Sequence, residues 1–208
     1  MYPEPFLTVG FISLIAAMSP GPDFVIVATH GLNHSRTIGF CTAVGVAVGL
    51  GVHVFYSLVG IGLFATQSPS IICIITYLGA GYLCYLGYKL LSTHGRTFEI
   101  TPTCSKTHLD YSTAVRRGFF TNVLNPKAAL FFAGIFTQVI TPSTPIYVQI
   151  LYGFEIVCIV LVWFTFVAMF VSHAKVRKRL LLWETCLNRM AGCVLILLGA
   201  KIAIASTS

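Results

Sequence analysis

The sequence predicts an all-α membrane protein. Six transmembrane helices are expected in two inverted three-helix repeats, with helices 1 and 4 broken at proline motifs. Three observations carry this prediction. Hydrophobic residues make up 56% of the 208-residue chain and charged residues only 9%, where soluble domains carry about 25% charge; the mean hydropathy is +0.86. The apolar runs are long enough to cross a bilayer as helices, which takes about 20 residues each. Lysine and arginine concentrate in and beside alternate connections, the bias that orients helices in a membrane. The net charge of +7 therefore reports topology, and no nucleic-acid partner is expected.

Span 1 is expected over residues 6–30. No basic segment precedes it, since only Glu4 is charged before Asp23, so it reads as an uncleaved first span rather than a signal peptide. Pro20, Gly21, Pro22 and Asp23 interrupt it. Each proline removes a backbone donor and crowds the preceding turn. A carboxylate at membrane depth costs about 3 kcal/mol without a partner. Unpaired backbone is tolerated there only in contact with protein or a wet cavity. Residues 31–37 form a short polar connection with Arg36, and span 2 follows over residues 39–64, with Gly45 and Gly49 spaced for close approach of a neighbouring helix. An uncharged turn over residues 65–70 leads to span 3, residues 71–91, rich in tyrosine and ending at Lys89.

Polar residues then dominate, so residues 1–92 are expected to form the first three-helix repeat, residues 93–115 a cytoplasmic connecting loop, and residues 116–208 the second repeat. Span 4, residues 118–140, follows Arg116 and Arg117 and carries a second interruption with Asn122, Asn125, Pro126 and Lys127. Span 5, residues 146–172, contains Glu155 and precedes the basic cluster of Lys175, Arg177, Lys178 and Arg179; span 6 is short, residues 190–205. With the connections after spans 1, 3 and 5 in the cytoplasm, the opposite side holds no lysine or arginine apart from Lys201 near the C-terminus, and both termini are expected outside. The seven cysteines form no C-x-x-C pair, which argues for packing roles rather than a thiolate metal site or a redox pair.

Three spans, a basic linker and three spans invite comparison of the halves. Gly21-Pro22-Asp23 answers to Asn125-Pro126-Lys127; Ala80 and Gly87 answer to Gly192 and Gly199 with equal internal spacing. An odd number of spans per half inverts the second half. Interrupted helices at corresponding positions of inverted repeats point to a binding site at the membrane midplane. The two interruptions carry opposite charges, and Asp23 and Lys127 are expected to approach one another or face one shared cavity.

The run Ser19-Pro-Gly-Pro-Asp-Phe24, the Gly45/Gly49/His53 helix, Tyr82-Leu-x-Tyr-Leu-Gly-Tyr-Lys89 and Arg117-Gly-Phe-x-Thr-Asn-x-Leu-Asn-Pro-Lys-Ala-Ala-Leu-Phe-Phe132 resemble the LysE/RhtB amino-acid exporters over nearly the whole chain. The resemblance implies a secondary exporter in the bacterial inner membrane that moves amino acids or close derivatives in exchange for protons. Homoserine, homoserine lactone, threonine and lysine are among the substrates of such proteins. A homo-oligomer is compatible with the sequence, which sets no oligomeric state. No cofactor and no metal are expected.

The candidate transport residues are Pro20, Gly21, Pro22, Asp23, Asn122, Asn125, Pro126 and Lys127, with Asp23, His53 and Glu155 as candidates for proton coupling. Several have a simpler alternative. Asp23 can cap the half-helix beginning there, Lys127 can serve as counter-ion, the asparagines can satisfy broken backbone, and His53 can be a hydrogen-bonded packing residue. His30, His34, His94, His108 and His173 are expected in or beside connections. Half-helix N-termini would receive a substrate carboxylate, while free carbonyls and a carboxylate hold its ammonium group. A metal-cation exporter of related fold would need several ligands converging in the spans. A membrane-embedded enzyme would need a nucleophile–base pair or metal triad; no H-E-x-x-H or G-x-S-x-G is present.

Overall fold

The structure is a computed structural model that describes residues 3–19, 21–65, 69–92, 109–129, 131–132, 144–171, 185–186, 188–190, 192–197, 199–200 and 203–204. Among these, all regular structure is helical. The named helices are α1 (Pro3–Met18), α2 (Pro22–Asn33), α3 (Arg36–Ala65), α4 (Pro69–Ser92), α5 (Tyr111–Val123) and α6 (Ile146–Phe170). Residues 126–129 resume a helix after α5, and Asn188–Leu197 forms a shorter apolar one.

By length and composition α3 and α6 can each cross a bilayer. The pair α1 and α2 makes a third span if counted as one element, bent by 61° at the break. The bend has its cause in the sequence: a helix cannot run through the residues around Pro22 without losing donors. The chain is thus an integral membrane protein built from helices.

Helix boundaries differ from the sequence expectation where caps override hydropathy. The Asp110 side chain accepts the Ser112 backbone N–H at 3.2 Å, so α5 starts at Tyr111, inside the stretch expected as loop. Hydrogen bonds from the Ser112 hydroxyl and nearby backbone hold the exposed Asp110 carboxyl below the usual carboxylate range. The connection after span 1 shrinks to His34 and Ser35, because α2 runs on to Asn33 and α3 begins at Arg36. His30 therefore sits buried inside α2, its Nδ1 2.7 Å from the Thr42 hydroxyl. That hydroxyl donates to the Ile38 carbonyl at 2.9 Å, which leaves the ring nitrogen as donor. The stretches expected as a loop over 93–108, the turns near 66–68 and 141–143, the upper part of span 4 and the basic cluster at 175–179 lie outside the described residues.

The core forms where α6 lays Tyr152, Ile156, Val160, Phe164 and Val167 against α1, α2 and α3. Successive residues there fall three or four positions apart, one continuous face of a helix. On its other side α3 meets α5 at backbone distance. A Cβ on Gly45 would stand 2.0 Å from the Val115 carbonyl oxygen, and one on Gly118 would stand 2.2 Å from that of Thr42. The small-residue face of α3 thus packs on α5 within the chain, and this brings Asn122, on the same α5 face, against Gly49.

Candidate functional site

Two helix breaks face each other, and they are built alike. At the first, α1 closes with the Ser19 N–H bonded to the Ile15 carbonyl at 3.1 Å. Gly21, extended at φ −165° and ψ −177°, then caps α2 with Pro22 at its start. Its carbonyl accepts the first helical bond from the Val25 N–H at 3.0 Å. At the second, α5 closes through bonds from the Leu124 N–H to the Phe120 carbonyl and from the Asn125 N–H to the Asn122 carbonyl. Asn125 then caps the resumed helix: its side-chain oxygen accepts the Lys127 N–H at 3.0 Å, and its carbonyl accepts the Ala129 N–H at 3.1 Å. Pro126 stands first in that helix, where a missing donor costs nothing. Asp23 and Lys127 hold the equivalent second positions. Pro20 lies outside the described residues.

The two breaks then complete one another. Lys127 Nζ crosses to the end of α1 and donates to the carbonyls of Ser19 at 2.9 Å and Ala16 at 3.3 Å. A cation at a helix C-terminus satisfies free carbonyls and the helix dipole together. In return one oxygen of Asp23 accepts from the side-chain amides of Asn125 at 2.9 Å and Asn122 at 3.0 Å. The opposite charges thus meet through backbone and amide groups around one space. Each break supplies what the other lacks.

That space is a cavity of about 60 Å³. Ser13, Ser19, Asp23, Asn122, Asn125 and Lys127 form its polar part; Phe24, Leu50, Phe131, Phe132, Ile156 and Phe164 are among its apolar walls. Three lining atoms are buried and have no hydrogen-bond partner among the described residues: Asp23 Oδ1, Asn122 Oδ1 and the Ser13 hydroxyl. Two of the three are pure acceptors. Buried polar groups are almost always paired, so such atoms on a cavity wall mark where a donor belongs. An ammonium group offers three donors and a positive charge. Lys127 has two of its three N–H groups on carbonyls and, among the described residues, no partner for the third, which suits an anion.

His53 is buried one step behind the wall. Its Nε2 donates to the Asn122 carbonyl at 2.9 Å, and its Nδ1 lies 2.7 Å from the Tyr56 hydroxyl. Among the described residues its hydrogen bonds lead toward Asp23 by way of Asn122. Glu155 is not among the cavity's described lining residues. Its carboxyl sits against α1, where a Cβ on Gly10 would come 2.7 Å from Oε1; Oε2 is buried without a partner among the described residues.

Two residues at the site were not singled out from the sequence. Ser13 precedes Ala16 and Ala17 by three and four positions, so a face of small residues bearing one hydroxyl and leading to the break was present to be read. Asn188, whose side-chain oxygen accepts from the Ser19 hydroxyl at 3.2 Å, is buried beside the break. An amide at the edge of an apolar run carries no comparable signal.

The chain is similar to several efflux proteins. The threonine efflux protein of Salmonella typhi is 29% identical over 178 residues, which covers 83% of this chain and 84% of that protein. The threonine efflux protein of Escherichia coli K12 is 28% identical over 176 residues, with the same coverage. The homoserine/homoserine lactone efflux protein of Salmonella typhi is 28% identical over 202 residues, 92% of each chain. No solved structure gives a significant match. The family model for LysE type translocators matches residues 14–206, both helix breaks included, and the chain belongs to the LysE type translocator family.

Proposed function

We propose that the chain is a secondary active exporter of amino acids or close derivatives, of the homoserine/threonine or lysine type, in the bacterial inner membrane. It works by proton antiport with alternating access between two inverted three-helix halves, with both termini outside. One observation carries the substrate reading. The cavity between the breaks pairs unsatisfied acceptors on Asp23 and Asn122 with a lysine whose third donor has no partner among the described residues. An α-amino acid presents the complementary ammonium and carboxylate. The efflux proteins named for threonine and homoserine support the substrate class.

The inverted repeat draws support from two places. The triplets Gly21-Pro22-Asp23 and Asn125-Pro126-Lys127 occupy the same cap positions. In the third span of each half, a Cβ on Gly87 would meet the Gly192 carbonyl at 2.6 Å, and one on Gly199 the Ala80 carbonyl at 2.7 Å. If Ala80 corresponds to Gly192 and Gly87 to Gly199, a two-fold axis exchanges these contacts. Cys84 and Ile196 share that offset, and they touch each other: the Cys84 thiol lies 3.9 Å from the Ile196 carbonyl. Residues on a two-fold axis meet their own equivalents.

A cavity of about 60 Å³ is far below the range of about 300–1,000 Å³ for ligand pockets. Substrate entry therefore requires the breaks to part. Because Lys127 and Asp23 each hold the opposite break, a substrate that takes over their hydrogen bonds loosens the halves as it binds. Protonation of Asp23 or Glu155 from outside then resets the carrier.

The test is counterflow in proteoliposomes loaded with unlabelled amino acids, with the wild type beside Asp23→Asn and Lys127→Ala. Saturable uptake of one or two labelled amino acids, reduced at least about tenfold in each variant, is expected; a lost charge-assisted hydrogen bond supplies that much. Normal exchange in both variants would remove the site. Exchange of no amino acid by the wild type would remove the function.

A further inference from the structure

A second, open cavity of about 560 Å³ lies between α2 and α5, away from the transport site. Its wall changes character along α5. Thr113, Arg116 and Arg117 line one end, and Phe120 and Leu124 with Thr121 between them the other, with Ile26 of α2 facing them. Thr113, Arg117, Phe120 and Leu124 are spaced by four, three and four positions, one stripe of a helix. The opposite face of α5, with Ala114, Gly118 and Asn122, is buried. The stripe stays open: Phe120 is 51% and Leu124 75% exposed, and both arginines are exposed. From Thr113 to Leu124 it covers about 16 Å of helix at 1.5 Å per residue.

The contents of this cavity must match guanidinium groups at one end and hydrocarbon at the other. A soluble anion uses only the first end, and a neutral lipid only the second. Arginine holds phosphate oxygens with paired, planar hydrogen bonds. Basic pockets between membrane helices are where anionic head groups bind. We propose that this cavity seats one anionic phospholipid. Arg116, Arg117 and the Thr113 hydroxyl hold its phosphate, and an acyl chain lies along Phe120, Leu124 and Ile26. The site depends on the membrane setting of α5 and not on the exporter reading, and its test requires no transport.

The experiment is native mass spectrometry of the purified full chain in mild detergent. It is titrated with dioctanoyl phosphatidylglycerol, dioctanoyl phosphatidylcholine or glycerol phosphate. The wild type is expected to retain one phosphatidylglycerol and to bind the other two at least tenfold more weakly. Arg116→Gln with Arg117→Gln should weaken phosphatidylglycerol about thirtyfold, at about 1 kcal/mol per basic residue, and the double lysine variant should recover most of this. Phe120→Ser should weaken the lipid with both arginines in place. Equal retention of the two lipids by the wild type would reduce the cavity to an annular contact and overturn the proposal. Binding of glycerol phosphate as tight as the lipid would make it a soluble-anion site and overturn it equally. Unchanged binding in the double glutamine variant would do the same.

Discussion

Asn125 holds three groups at once, and this makes it the most informative single residue of the site. Its carbonyl and side-chain oxygen start the second half-helix, while its amide nitrogen donates to Asp23 across the gap. The two roles separate by substitution. Asn125→Ala removes cap and donor together and should cost about 1 kcal/mol of stability through the cap, along with exchange. Asn125→Asp keeps an equally good cap but sets a second carboxylate against Asp23. Its melting point in detergent should fall through the crowded carboxylates rather than the cap, and counterflow should fall at least about tenfold. Normal exchange by Asn125→Asp would make the amide a structural cap only. Asp110 offers a pH test outside the membrane. Its carboxyl is held low by hydrogen bonds that form only when α5 is folded. A depressed folded value means stabilisation is present above the unfolded value, near 3.9 for aspartate, and lost as pH falls through the folded one. Protection from hydrogen exchange at the Ser112 to Ala114 amides, taken relative to the intrinsic rate at each pH, should fall from neutral pH to acid more in the wild type than in Asp110→Asn. Equal falls would show that the ionised cap does not hold the start of the helix.

At the scale of elements, the contact between α3 and α5 decides how far the site can deform. Gly45 and Gly118 bring carbonyl oxygens of the facing helix into the space a methyl group would need, and backbone cannot swing aside as a flexible side chain can. Gly45→Ala or Gly118→Ala should each destabilise by about 1–3 kcal/mol, the usual cost of overpacking. Gly51, on the same helix with nothing within 4 Å of its Cβ position, is the internal control. Gly51→Ala should be neutral or stabilise by up to about 1 kcal/mol through helix propensity. Thermal melts in one detergent compare all three, and equal melting of Gly45→Ala and Gly51→Ala would show that the helices are not locked. Half of this contact was legible in the sequence. Two glycines a turn apart announce a close neighbour, but the partner surface centres on the lone Gly118, and only the three-dimensional register joins them.

For the whole molecule, the legible part was the chemistry that breaks helices and the hidden part was the network that mends them. Proline beside a charge, twice, in otherwise apolar segments marked both halves of the site. That Lys127 would close α1 while Asp23 took two amides could not be read, because hydrogen bonds between residues a hundred positions apart leave no local pattern. Asn188, bonded to the Ser19 hydroxyl from far along the chain, stayed hidden for the same reason. The separation of Asp23 from Glu155 also appears only in the fold, and it leads to the sharpest prediction for the proposed cycle. Exchange of one amino acid for another needs a carrier that binds and reorients loaded, whereas net export against a gradient also needs protons to return it. Asp23 lies on the cavity wall, while Glu155 is half-buried at the contact between α1 and α6, with its Oε2 out of reach of solvent. Asp23→Asn should therefore lose both counterflow and transport driven by a pH gradient. Glu155→Gln, close to the native shape, should keep counterflow within about threefold and lose the pH-driven component. The two assays run on the same vesicles, with and without an imposed gradient. Full pH-driven transport in Glu155→Gln would leave Asp23 to carry both substrate and proton, and full transport in the double variant would end the claim that either acid couples protons to export.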